Sequence, residues 1–198
     1  MPIRAMSRWF PHCRNRRLRK MMRTIAVIGA GAAGRAFALR CARGGFAVAL
    51  EDVMPEKLRR AQDEYAELKA AGEGSLRYAL TVEDAVKDAD LAIDFVPDEL
   101  ESKLEIFSLL DRMAPPRTIL CTPTMALSIT DLASCTYRAE RCVGLRGMPT
   151  ENVEVVQSRF ATDTVVREVV GLLSKLDVKT SVVADALEPM LMKNIQAT

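Results

Sequence analysis

The chain has 198 residues, 49% hydrophobic, 27% charged and 5% aromatic, an ordinary composition for a globular protein with room for one core and not for two full domains. No apolar run nears the ~20 residues of a membrane span, and five cysteines without a C-x-x-C pair, beside the single histidine His12, speak against a zinc centre, so no metal is expected. The net charge of +2 conceals eight Lys/Arg and no acid in residues 1–23, against 20 bases and 26 acids in the rest, so the basic balance belongs to a tail and no nucleic-acid partner is expected.

Residues 1–23 lack the apolar stretch of roughly 7–15 residues that a secretory signal needs. They are read as a disordered basic extension, with Met21 or Met22 as an alternative start. Residues 24–198 are read as one domain in a reducing, cytoplasmic setting, the scattered cysteines being buried thiols.

From Thr24 the pattern alternates. "TIAVIGAG" is a short apolar run ending in glycine, as a buried parallel strand does. A helix is predicted over Ala32 to Arg43, closed by Gly44 and Gly45. "FAVALED" is the next strand. Pro55 suits a first helical turn, and Leu58, Ala61, Tyr65 and Leu68 mark one helical face. "LRYAL" is a strand, and Thr81 with Asp84 opens a short helix at capping-box-like spacing. "ADLAIDFV" is a buried strand. Leu100, Leu104, Phe107 and Leu110 line another helix, which ends before Pro115 and Pro116. "TILCT", the helix "SITDLAS", and the strands "CVGLRG" and "VEVVQ" follow. Asp163 is placed as the cap of the helix "TVVREVVGLLSKL", and "KTSVVAD" is the last strand. Strands alternating with helices predict a Rossmann-type α/β fold, a doubly wound, mostly parallel sheet with helices on both faces.

"GAGAAG", running Gly29, Ala30, Gly31, Ala32, Ala33, Gly34, sits between the first strand and first helix, the context that gives G-x-G-x-x-G its meaning. Gly29 allows the tight turn, Gly31 admits a pyrophosphate to the backbone, and Gly34 lets helix and strand pack closely. The pyrophosphate then meets free N–H groups at a helix start. Asp52, eighteen residues after Gly34, closes the second strand. A carboxylate there accepts from both ribose hydroxyls and repels a 2′-phosphate, which selects NAD over NADP. Glu51 is expected on the other face of that strand.

With these residues in register, the chain from about Ile25 to Asp185 resembles the NAD-binding domain of 3-hydroxyacyl-CoA dehydrogenases. "ADLAIDFVPDELESKLEIFSLLDRMAPPRTILCT" looks like that family's strand, acidic V-P turn, helix and P-P segment, and "LSITDLA", "CVGL" and "VEVV" also match. The resemblance implies that Val96, Pro97, Asp98, Lys103 and Thr122 complete the cofactor side, with Asp98 and Lys103 approaching the nicotinamide half. On a bare sequence reading, Lys103 is a solvated lysine and Asp98 a carboxylate at a helix start.

The family oxidises the 3-hydroxyl of an acyl-CoA, with a histidine in "GLHFFNP" taking the proton and a glutamate holding that histidine. This chain reads "GLRGMPT", so Arg146 stands at the histidine position and Glu154 keeps the glutamate position without its partner. The loop between them is four residues shorter than the family's. A guanidinium with a pKa above ~12 is no base at neutral pH. The family's "NTSSLSI" becomes "PTMALSI", with Pro123, Met125 and Ala126 replacing the asparagine and both serines, while Thr124 and Ser128 remain. At the family's later asparagine stands Met192, with Asn194 two positions on. The family continues into a helical domain, which the resemblance from Ile25 to Asp185 does not reach.

The expectation is an NAD-holding domain with impaired turnover, an acyl-CoA or other small anion being the substrate class and Arg146 a candidate anion contact. Two alternatives stand beside it. One is an active dehydrogenase of altered range, for which Tyr65 with Lys69 or Thr124 with Glu154 would have to supply the base. The other is an NAD-responsive interaction module whose apolar surface, Met190 and Met192 included, is covered by homodimerisation or by a separate helical partner.

Overall fold

A computed structural model describes residues 22–68, 74–147 and 151–186. The expectations resting on His12, Lys69, Gly72, Met190, Met192 and Asn194, and on the basic extension before Met22, lie outside the described residues. In chain order the elements are β1 (Thr24–Ile28), α1 (Ala32–Arg43), β2 (Ala47–Glu51), α2 (Pro55–Leu68), β3 (Ser75–Ala79), α3 (Val82–Val86), β4 (Leu91–Asp94), α4 (Leu100–Met113), β5 (Ile119–Pro123), α5 (Ile129–Ser134), β6 (Cys142–Gly147), β7 (Asn152–Gln157), α6 (Asp163–Lys175) and β8 (Lys179–Ala184).

The strands form one sheet in the order β3-β2-β1-β4-β5-β6-β7-β8. Pairing is parallel except between β6 and β7, where the chain reverses, and β8 then follows β7 in the same sense. The central strands are buried on both faces, which explains their continuous apolar runs. One face carries α1, α2 and α6 over Val27, Leu50 and Val143. The other carries α3, α4 and α5 over Ala26, Ile28 and Leu120. The order turns back between β1 and β4, so the carboxyl ends of these two strands open a crevice, the place where doubly wound sheets bind ligands.

Local chemistry fixes the ends of the elements. Thr81 caps α3 by accepting from Asp84 N–H, as its spacing predicts. At α6 the cap is Thr162, whose hydroxyl accepts from Val165 N–H, and Asp163 is the first helical residue; the sequence reading was off by one position. In α4 Phe107 and Leu110 are buried and Leu100 and Leu104 pack partly buried against the same core, as expected, while the buried stripe also takes in Lys103, Ile106 and Asp111 and so brings two charged residues inward. Of the cysteines, Cys41, Cys121 and Cys142 are buried as expected, whereas Cys135 is exposed.

Candidate functional site

β1 delivers the chain to Gly29, which takes φ +98° and donates its N–H to the Glu51 carbonyl at 2.8 Å. A side chain there would be strained by the backbone and crowded by Phe95. A Cβ on Gly34 would collide with the carbonyl oxygen of Gly29. Gly31 differs, because a Cβ on it would meet no protein atom within 4 Å. The fold therefore does not require glycine at this position, and the space beside it is what a pyrophosphate needs. Gly31 also caps α1 without any side-chain bond, and the first helical bond runs from Arg35 N–H to the Gly31 carbonyl. The N–H groups of Ala32, Ala33 and Gly34 precede that bond at the positive end of the helix.

Asp52, 8% exposed, crosses to this loop. Its Oδ2 accepts from Ala30 N–H at 2.8 Å and from Lys57 Nζ at 3.2 Å, and its Oδ1 from Met54 N–H at 2.9 Å. The acid that the sequence placed eighteen residues downstream is thus brought against the glycine turn. Between the loop and α4 lies a cleft of about 400 Å³, lined by Gly29, Gly31, Asp52, Val96 and Pro97 among others.

Behind the cleft, Lys103 Nζ lies 2.7 Å from Asp94 Oδ1, with side chains 1% and 0% exposed. Burial pushes the Asp94 carboxyl above its ordinary range, against the pull of the Lys103 ammonium and the Thr122 hydroxyl. Thr122 Oγ1 and Asp94 Oδ2 face each other without a hydrogen bond of standard geometry. Lys103 is therefore not the solvated lysine of the bare sequence reading: it is locked to β4. Asp98, exposed, does not cap α4. It accepts from Met125 N–H at 2.8 Å and Ala126 N–H at 3.4 Å, clamping the turn after β5.

That turn leads to a second cleft, of about 570 Å³, lined by Met125, Arg146, Gly147, Glu154, Lys179 and their neighbours. Arg146 and Glu154 are directly opposed in the β6–β7 ladder, so their side chains share a face. They are not bonded to each other. Arg146 turns to Asp185, Nη2 to Oδ1 at 3.4 Å, and Glu154 stays exposed. Asp185 in turn accepts from Ser128 Oγ at 2.7 Å and Thr130 N–H at 2.9 Å. The Arg146 charge is thus matched within the fold, which weakens the case for it as an anion contact. Sequence reading missed Asp185 as the arginine's partner, since their separation of 39 residues leaves no local signal.

Among the described residues no group of three or more His, Cys, Asp and Glu could hold a metal ion, and no helix is long and apolar enough to cross a membrane.

The fold and the loop geometry define a dinucleotide-binding α/β domain. Residues 24–186 match the family model for the 3-hydroxyacyl-CoA dehydrogenase NAD binding domain, and the chain belongs to that family of NAD-dependent oxidoreductases. It is 35% identical over 136 residues to a 5-formyl-3-hydroxy-2-methylpyridine 4-carboxylate 5-dehydrogenase of Mesorhizobium japonicum, covering 63% of this chain and 44% of that protein. It is 31% identical over 179 residues to a probable 3-hydroxybutyryl-CoA dehydrogenase of Bacillus subtilis, covering 81% and 62%. The crystal structure of a 5-formyl-3-hydroxy-2-methylpyridine 4-carboxylic acid 5-dehydrogenase superimposes with TM-score 0.76 at 27% identity, over 89% of this chain and 62% of that one. The chain thus spans roughly half the length of these curated relatives.

Proposed function

We propose that the chain is an NAD(H)-holding domain of the 3-hydroxyacyl-CoA dehydrogenase type whose proton-transfer step is impaired. The N–H groups at the start of α1 hold the pyrophosphate, with Gly31 giving it room, and Asp52 takes the ribose hydroxyls and disfavours a 2′-phosphate. When bound, the nicotinamide supplies the hydride acceptor. Oxidation of a 3-hydroxyl also needs a group that takes the hydroxyl proton near neutral pH.

The observation that carries the reading is the pairing of Arg146 with Asp185 opposite an exposed Glu154. The residue at the family's base position is a permanent cation with its own counter-ion, and Glu154 has no imidazole to orient. Met125 and Ala126 offer no hydroxyl to a substrate oxygen. Loss of a general base alone lowers a rate by ~10²–10⁴.

The test is titration with NADH by fluorescence, followed by acetoacetyl-CoA in the same sample. Binding with negligible turnover is expected. A kcat in the usual range of ~1–10³ s⁻¹ would refute the impairment.

A further inference from the structure

Glu51 is a carboxylate in an unexpected place. It ends β2 beside Asp52, is 4% exposed and lines the nucleotide cleft. Strand alternation sets its direction: Val48 and Leu50 belong to the α1–α2 face, whereas Ala49 and Ile28, the residue paired with Glu51, belong to the α3–α4 face. Glu51 therefore points away from α1 and toward α3 and α4, the side on which Val82, Ile106 and Leu109 wall the cleft. No hydrogen bond from a described residue reaches its carboxylate, and its oxygens are not among the atoms sealed inside the fold, so a partner for them comes from the cleft.

The order of groups along the cleft indicates what that partner is. Pyrophosphate at Gly31 and ribose at Asp52 leave the base to continue past Asp52, between Val53 and the apolar wall of α3 and α4. We propose that Glu51 reads the amino edge of the adenine ring, so that the cleft selects the base of its dinucleotide as well as the ribose; this rests on the cofactor reading above.

A neutral carboxyl carries an acceptor and a donor side by side. Its carbonyl oxygen takes a hydrogen from the 6-amino group while its hydroxyl donates to the neighbouring ring nitrogen. Burial, and then the adjacent Asp52 charge, raise the Glu51 pKa and favour this neutral form. Asp52, Lys57 and Glu105 are the other titratable groups lining the cleft among the described residues, and Lys57 is bonded to Asp52. As pH rises through the elevated pKa the donor is lost, so adenine affinity falls.

The experiment measures calorimetric binding of ADP-ribose and of its 1,N6-etheno derivative, whose bridge removes the amine donor and blocks the ring nitrogen but leaves the ribose and pyrophosphate unchanged. The unaltered chain is expected to prefer ADP-ribose about tenfold. Glu51→Leu should reduce that preference to about twofold or less, and Glu51→Gln, whose amide keeps acceptor and donor together, should retain it. As pH is raised through the elevated Glu51 pKa the unaltered chain should weaken while Glu51→Gln stays level. An unaltered chain that binds both ligands equally, or a Glu51→Leu chain with the full preference, overturns the assignment while leaving the cofactor reading intact. Failure of the unaltered chain to bind either ADP-ribose or NADH overturns both.

Discussion

The glycine-loop half of the molecule leaves several polar groups open although Asp52 is bonded within the fold, whereas in the β6–β8 half Arg146, though not Glu154, is paired internally. Around the loop, groups are left for something else: Gly31 faces open space, the first N–H groups of α1 precede any helical bond, and the Glu51 carboxylate meets no donor. Around β6–β8 the fold satisfies itself, with Arg146 on Asp185 and Asp185 on Ser128 and Thr130. A surface kept for a ligand retains unmatched groups at some cost in stability, while one released from that duty can pair them internally. On the function proposed above, cofactor retention and proton handling diverge separately within a single sheet.

The strongest test of the contrast removes the support beneath the nucleotide side. Lys103→Ala leaves the Asp94 carboxylate buried without its counter-ion and should cost about 3–5 kcal/mol, read by urea denaturation. Next come substitutions that separate ligand from fold. Gly31→Ala should leave the melting temperature nearly unchanged, since its Cβ meets no protein atom, yet weaken NADH tenfold or more (~1.4 kcal/mol); a large loss of stability would show that the glycine serves the fold. Asp52→Ala should weaken NADH by a similar factor and erase its preference over NADPH, whereas Arg146→Ala should leave the NADH Kd level.

Asp185→Ala should lower stability by about 1–3 kcal/mol without changing the NADH Kd, because Ser128, Thr130 and Arg146, which it holds, lie away from the glycine loop. A coupled loss of affinity would mean that the halves are not independent. The smallest expected effect is on acid stability. Partial burial works against the Asp90 carboxylate, but bonds from Arg23 N–H, Thr24 N–H, the Thr24 hydroxyl and Arg117 outweigh it and hold its pKa at about 2. A depressed carboxylate contributes fully above its unfolded value and loses that contribution as pH falls from about 4 to about 2. Asp90→Asn should flatten that limb of the acid-unfolding curve.

Much of this was legible in the sequence. The bounds of α1 follow from the glycine loop before it and Gly44 after it, and the alternation of elements gives the doubly wound sheet, because these signals are local. The misses involve partners distant in sequence or space. Helical periodicity assigns a lysine to solvent, and only the packing of α4 against β4 shows that Lys103 sits on Asp94. Strand alternation places Glu51 on the face opposite Asp52, which is the α3–α4 side. That this side is the wall of the nucleotide cleft is a property of how α3 and α4 pack over the end of β2, which strand parity alone does not contain. Arg146 could be aligned with a vanished histidine by motif, but its counter-ion lies in the last described stretch of the chain.

The Asp98 carboxylate, holding two backbone N–H groups of the turn after β5 from the rim of the other cleft, works as a rivet between them. A rivet that grips only main chain is indifferent to side-chain identity at Met125 and Ala126. Hydroxyl-bearing residues could be placed at those two positions without disturbing the register of the joint, which makes this scaffold a convenient host for varying the second cleft one residue at a time.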